Sequence, residues 1–115
     1  MKFTVDRQTW YRGKDTGESK LLRYDGTRCC IGFVGKQVGC TDDDLLDVAE
    51  VIKMDSNNRN FPVWMREPYT HKGGGRTLIG EAYHVNDDEN LTDEQREARL
   101  KELFIEAGDE IEFIN

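Results

Sequence analysis

No apolar run in the 115-residue chain approaches the roughly 18 residues that a membrane-spanning helix requires, so no bilayer span is expected. The opening residues, Met1-Lys2-Phe3-Thr4-Val5-Asp6, lack the apolar core of a secretory signal, which makes the cytoplasm the expected location. Cysteines are few and odd in number: of the three, two are adjacent in a segment with helical spacing, where neighbouring side chains point apart. That excludes a disulfide framework and favours small buried hydrophobes. Only two prolines occur, Pro62 and Pro68, both in one stretch. There is no internal repeat, no low-complexity tract and no strong catalytic or cofactor motif. Accordingly no catalytic residue, metal ligand or cofactor is assigned.

What is present is an ordinary globular composition, with 37% hydrophobic and 34% charged residues, enough for one domain over residues 1–115 with a real core. The net charge of −7 argues against a general nucleic-acid binder. Its distribution is uneven: residues 1–40 carry +4, 41–58 carry −5, 59–76 carry +3 and 77–115 carry −9. Such blocks form separate basic and acidic surfaces.

The stretch from Asp25 to Cys40 is the least polar in the chain. Cys29, Cys30, Phe33, Val34 and Val38 recur at spacings of three and four, predicting a buried central helix. Gly32 and Gly35 each cost about 1 kcal/mol relative to alanine inside a helix, so another element is expected directly against that backbone. Gly39 is placed as a left-handed stop. Before it, Lys2 to Val5 alternates as a strand with Phe3 and Val5 inward. Asp6 caps a turn, Lys14 to Ser19 is a surface loop, and Lys20 to Tyr24 is extended or turned. After it, Thr41 with Asp42, Asp43 and Asp44 starts a second helix running to about Lys53, burying Leu45, Val48, Ala49 and Ile52. Thr77 to Asn86 predicts a third helix. Thr92 and Gln95 form a capping box for a fourth, which buries Leu100, Leu103, Phe104 and Ala107, exposes Glu94, Arg96, Glu97, Lys101, Glu102 and Glu106, and stops at Gly108. Glu110 to Ile114 is the last strand, expected to pair with the first. The fold class is therefore α+β: three to four helices around a central buried helix, with a small sheet joining the termini.

Residues 54–76 hold both prolines, Gly73-Gly74-Gly75, and the aromatics Phe61, Trp64 and Tyr69, too apolar for a purely disordered loop. The glycines, preceded by His71 and Lys72 and followed by Arg76 at a helix start, are the best candidate for anion recognition. Together with Arg28 (or Arg23), and with Trp64 and Tyr69 to stack a base, they define a candidate ligand site: Arg28, Trp64, Tyr69, Lys72 and Arg76. A zinc site from Cys29, Cys30, Cys40, His71 and His84 lacks paired ligand spacing. A nucleophilic Cys40 and the carboxylate runs Asp42–Asp44 and Asp87–Glu89 are outweighed by burial and helix capping.

Thr9-Trp10-Tyr11-Arg12-Gly13, Leu21-Leu22-Arg23, Asp25-Gly26-Thr27-Arg28-Cys29-Cys30-Ile31-Gly32-Phe33, Pro62-Val63-Trp64-Met65, Val85-Asn86-Asp87-Asp88, Arg96-Glu97-Ala98 through Phe104, and Glu112-Phe113 follow one another along the chain. This order resembles a family of small, functionally uncharacterised proteins of phages, prophages and bacterial chromosomes. Thr27-Arg28 stands where that family has Lys-Met, and Ile31 where it has Leu. The resemblance implies a phage or mobile-element setting, hence a host cytoplasm, and no activity. Three readings of function follow. The leading one is a non-enzymatic interaction protein, by analogy an anti-defence inhibitor, that binds a host protein (a nucleic-acid-handling complex, for instance) through Asp87, Asp88, Glu94, Glu97 and Glu102. The alternative is a module that sequesters a phosphorylated or nucleotide ligand with the 59–76 segment. The third is an enzyme of unknown class.

Overall fold

The computed structural model describes residues 1–12 and 19–115. The expected surface loop at Lys14–Ser19 thus falls, apart from Ser19, outside the described residues. The elements are β1 (Lys2–Asp6), α1 (Cys30–Gln37), α2 (Asp42–Leu45), α3 (Leu78–Asp87), α4 (Asp93–Glu106) and β2 (Glu110–Ile114), with 3₁₀ segments at Val51–Asn58 and Val63–Arg66. The architecture is α+β in a single domain, as expected.

β1 and β2 form a two-stranded parallel sheet, Phe3 opposite Ile111 and Val5 opposite Phe113. Parallel strands need a long crossover, and here the crossover is nearly the whole protein. Phe3, Val5 and Ile111 turn inward; Lys2, Glu110 and Ile114 turn to solvent. The pairing joins the ends of the chain, with the Met1 ammonium 3.0 Å from Asp109.

α1 is the buried centre. Cys30 through Gly35 are all buried, on every side of the helix rather than on one face. It begins later than expected, because Asp25-Gly26 and Thr27 form a turn in which Asp25 accepts bonds from the Thr27 amide and hydroxyl. Its glycines do what helix propensity demands of them. A Cβ on Gly32 would lie 1.9 Å from the Leu21 carbonyl oxygen, and one on Gly35 would lie 2.7 Å from Leu45. Gly39 sits at φ +97°, the left-handed stop.

The second helix departs from expectation. Its start holds: the Thr41 side chain accepts from the Asp44 amide, and Asp44 accepts from the Thr41 amide. It then ends at Leu45, not Lys53. Leu46 bridges to Leu22, the Asp47 amide donates to the Leu22 carbonyl, and the Leu21 amide donates to the Val48 carbonyl. The backbone of 46–48 satisfies the backbone of 21–22, so it cannot also close helical turns. Asp47 takes φ 61° as the chain turns away, and Ala49 and Ile52 end up exposed.

α3 and α4 match their expected spans closely. The Thr92 side chain accepts from the Gln95 amide while Gln95 accepts from the Thr92 amide, completing the capping box. Leu100, Leu103 and Phe104 are buried and Gly108 takes φ +92°. One residue is corrected: Arg96, expected on the exposed face, has no solvent exposure.

Candidate functional site

The five residues of the candidate ligand site stand in different surroundings, with Tyr69, Lys72 and Arg76 on one loop. Trp64 is half-buried; its indole N–H donates to Asp109 at 2.9 Å and its ring meets Phe104 edge-on at 5.1 Å. Tyr69 stacks on Tyr83 with ring centroids 6.1 Å apart. Both aromatics thus serve the core. Arg28 is buried, with one guanidinium nitrogen 3.1 Å from Asp42. Lys72 and Arg76 stay exposed on a loop closed by the Thr70–Arg76 bridge, where Gly73, Gly74 and Gly75 all have positive φ and meet nothing. Arg76 stands 3.5 Å from Glu81.

The glycines do not cradle the N-terminus of α3 either. Thr77 caps that helix by accepting from the Gly80 amide at 3.2 Å, and its hydroxyl donates to the Pro68 carbonyl at 2.6 Å. A Cβ on Gly80 would meet the Tyr69 carbonyl oxygen at 1.8 Å. Residues 68–69 therefore already cover the helix start on which an anion was expected to sit.

Two buried polar residues form a network that the sequence reading missed. Asn86 has no solvent exposure, and its side-chain oxygen accepts from the Trp10 indole at 2.8 Å and from the Cys30 amide at 3.0 Å. Its side-chain nitrogen donates to the Tyr11 carbonyl and to Asp87. One carboxamide thus ties the start of α1, the Trp10-Tyr11 segment and the end of α3 together. Arg96 finishes the job from α4, donating to the carbonyls of Val85 at 2.7 Å, Asn86 at 3.0 Å and Leu91 at 3.1 Å. These are carbonyls at and beyond the end of α3, left over by the helix, and a cation there also suits its dipole. The signal was present: Asn86 continues the apolar stripe of Ile79 and Ala82, and Arg96 that of Leu100 and Leu103. A polar residue on a core stripe must find buried partners.

The thiols carry no activated nucleophile. Burial pushes Cys29 up to about 12, although it stands at the N-terminus of α1; desolvation outweighs the helix end. Burial likewise raises Cys30 well above its ordinary value, and burial with the neighbouring Asp44 raises Cys40. All three are free. Among the described residues, no group of three or more His, Cys, Asp or Glu side chains is placed to hold a metal ion.

The candidate acidic residues divide into two sets. Glu97 faces Arg7 in a two-pronged pair, at 2.8 and 2.7 Å, that docks α4 against the end of β1 and raises the Arg7 pKa. Asp87 accepts from Asn86 and from the Ser19 hydroxyl, and Asp88 closes a turn by accepting from the Asn90 amide. These three carboxylates have internal work. Glu94 and Glu102 do not: both side chains are exposed and without a partner among the described residues, and so are those of Glu106 and Glu110 further along. The four lie on one helix-and-strand unit. On α4, Glu94, Ala98, Glu102, Ile105 and Glu106 fall within a third of the helical circumference, opposite Leu100 and Leu103.

No family model, no curated protein and no solved structure matches the chain.

Proposed function

We propose that this chain is a non-enzymatic interaction protein, of phage or mobile-element setting, that binds a host protein through the acidic outer side of α4. The observation that supports it most is the set of carboxylates without partners. The carboxylates of Glu94, Glu102, Glu106 and Glu110 are exposed and have no partner among the described residues, whereas Arg7, Arg12, Arg23, Arg28, Arg76 and Arg99 each stand within 3.6 Å of an acid. Uncompensated carboxylates on a rigid helix repel one another weakly in water and attract a basic surface at long range. They set encounter rate and register. An inhibitor that occupies the basic cleft of a nucleic-acid-handling host complex is the nearest analogy.

The test is co-purification from a bacterial host with mass spectrometry of what is retained. Wild type is expected to hold a stoichiometric protein that dissociates as salt is raised. The triple variant Glu94→Lys, Glu102→Lys, Glu106→Lys is expected to keep its melting temperature and lose that protein. Equal retention by the reversed variant refutes the reading. Retention of a nucleotide instead of a protein favours the ligand-sequestering alternative.

A further inference from the structure

The two edges of the sheet are treated differently. In β1 the even-numbered residues direct their backbone groups away from β2, and the side chain of Gln37 fills that edge. Its oxygen accepts from the Thr4 amide at 3.0 Å and its nitrogen donates to the Thr4 carbonyl at 2.7 Å. A carboxamide thereby imitates a neighbouring strand. In β2 the even-numbered residues face β1, as the Glu110 amide bonded to the Met1 carbonyl and the Arg7 amide bonded to the Ile114 carbonyl show. The N–H and C=O of Ile111 and Phe113 therefore point the other way, and among the described residues no hydrogen bond reaches them. Backbone groups buried away from water are almost always paired, so this unpaired row marks the outer edge of the sheet, although the Ile111 and Phe113 side chains turn inward. An unplugged strand edge is a template for another strand.

We infer that the outer edge of β2 receives an extended segment of the partner protein, one in which cationic and apolar residues alternate. The alternation follows from the two faces of the edge. Residues of an added strand that lie beside Glu110 share its solvent face, where its exposed carboxylate favours cations; Glu112 on the same face is already held by Lys2 at 3.1 Å and by the Thr4 hydroxyl. Residues beside Ile111 and Phe113 share the inner face. There the Lys101 ammonium already rests 6.0 Å from the Phe113 ring, and Ile105, 68% exposed, lies one turn along the same helix stripe. That side takes apolar groups.

A second copy of this chain is the wrong occupant on charge grounds. Antiparallel self-pairing over most of β2 sets Glu112 opposite Glu112, or Glu110 opposite Glu112, and like charges directly opposed are unfavourable. Glu110, which attracts a basic strand, thus also discourages β2 from pairing with itself. This inference rests on the acidic-surface reading above and names what that surface grips; it uses β2, which the α4 reversal leaves untouched.

The probe is a blocked heptapeptide of alternating lysine and valine, added to the full-length protein and followed by amide hydrogen exchange and NMR titration. In the free protein the Ile111 and Phe113 amides are expected to exchange faster than those of Glu112 and Ile114. The peptide is expected to slow Ile111 and Phe113 selectively. Methylating the peptide nitrogens that bond to β2 is expected to weaken binding at least tenfold, and Glu110→Gln severalfold, with the fold intact because the Glu110 side chain is exposed and glutamine adds no like charge opposite Lys2. Equal binding of the methylated peptide, or of one with glutamate for lysine, overturns the inference. So does protection of Ile111 and Phe113 that grows with protein concentration alone, which would make a second copy the occupant. If the α4 reversal releases the host protein while the peptide leaves Ile111 and Phe113 unprotected, the acidic-surface reading stands and strand addition falls.

Discussion

α1 and α4 are both helices of the core, yet they are held by opposite means. α1 is walled in on every side, and its contacts depend on how closely other chain segments approach its backbone: the Leu21 carbonyl over Gly32, and Leu45 and Phe61 over Gly35. α4 buries one stripe, Leu100, Leu103 and Phe104 with Arg96, and leaves the rest to solvent. The first helix is limited by added volume, the second by removed volume. Only the second has a surface to spare for a partner.

Adding atoms to α1 should therefore have the largest effect. Gly32→Leu is expected to prevent folding under ordinary conditions. Even Gly32→Ala places a carbon far inside the Leu21 carbonyl's contact distance, so its loss should exceed the gain of about 1 kcal/mol in helix propensity. Gly35→Ala meets side-chain ends that can move and should lose less. The ordering is measured by denaturant unfolding, and equal or raised stability in Gly32→Ala would show that the strand-like segment at Leu21 does not press on α1.

Removing atoms from α4 comes next. Phe104→Ala takes away a fully buried ring that meets both Phe3 and Trp64, and is expected to cost about 3–5 kcal/mol. In a domain of this size that is a large share of the total stability. A loss below about 1 kcal/mol would mean that α4 does not seat where it is described.

Much of this contrast was readable in advance because it is written in local signals. The two capping boxes, Thr41 with Asp44 and Thr92 with Gln95, need only residues three apart, and both helix starts formed where those pairs stand. Gly39 and Gly108 ended their helices for the same local reason. What was not legible depends on distant chain. Nothing in residues 46–53 says that Leu22 will claim the backbone of 46–48, and helical spacing there was overridden. Arg96 was placed on the exposed face because polarity was weighed above position on the stripe, and Asn86, on the stripe of Ile79 and Ala82, was given no place in the core. The ligand residues Trp64, Tyr69, Lys72, Arg76 and Arg28 were grouped by nearness in sequence and by chemistry, and that grouping could not show that Trp64, Tyr69 and Arg28 have partners of their own in Asp109 and Phe104, Tyr83, and Asp42.

The thiols sharpen the comparison through pH, because two of them, Cys29 and Cys30, sit at the start of α1 and none on α4. The unfolded Cys29 thiol ionises near its ordinary value of 9.0, whereas burial holds the folded one up to about 12. The folded state therefore binds more protons over that interval, and stability falls as pH rises through it. The contribution is complete below pH 9 and is lost progressively toward 12. Unfolding followed across that range should show the decline, and Cys29→Ser should flatten part of it. Native alkylation at neutral pH is expected to label Cys40 first and to leave Cys29 and Cys30 unmodified; rapid labelling of all three would contradict their burial.

The smallest structural effect belongs to the outer side of α4. Glu102 is exposed and touches nothing charged, glutamate and alanine differ little in helix propensity, and Phe104 two residues on supplies the contrast. Glu102→Ala is expected to change stability by less than about 0.5 kcal/mol. Its consequence should instead appear in partner retention, since one carboxylate fewer weakens long-range attraction to a basic surface and makes the complex more sensitive to salt. Measuring melting temperature and co-purification yield on the same preparation separates the two. A variant that lost stability as Phe104→Ala does would give α4 a second buried face. One that lost neither stability nor partner would remove Glu102 from the acidic surface and leave Glu94 and Glu106 to carry it.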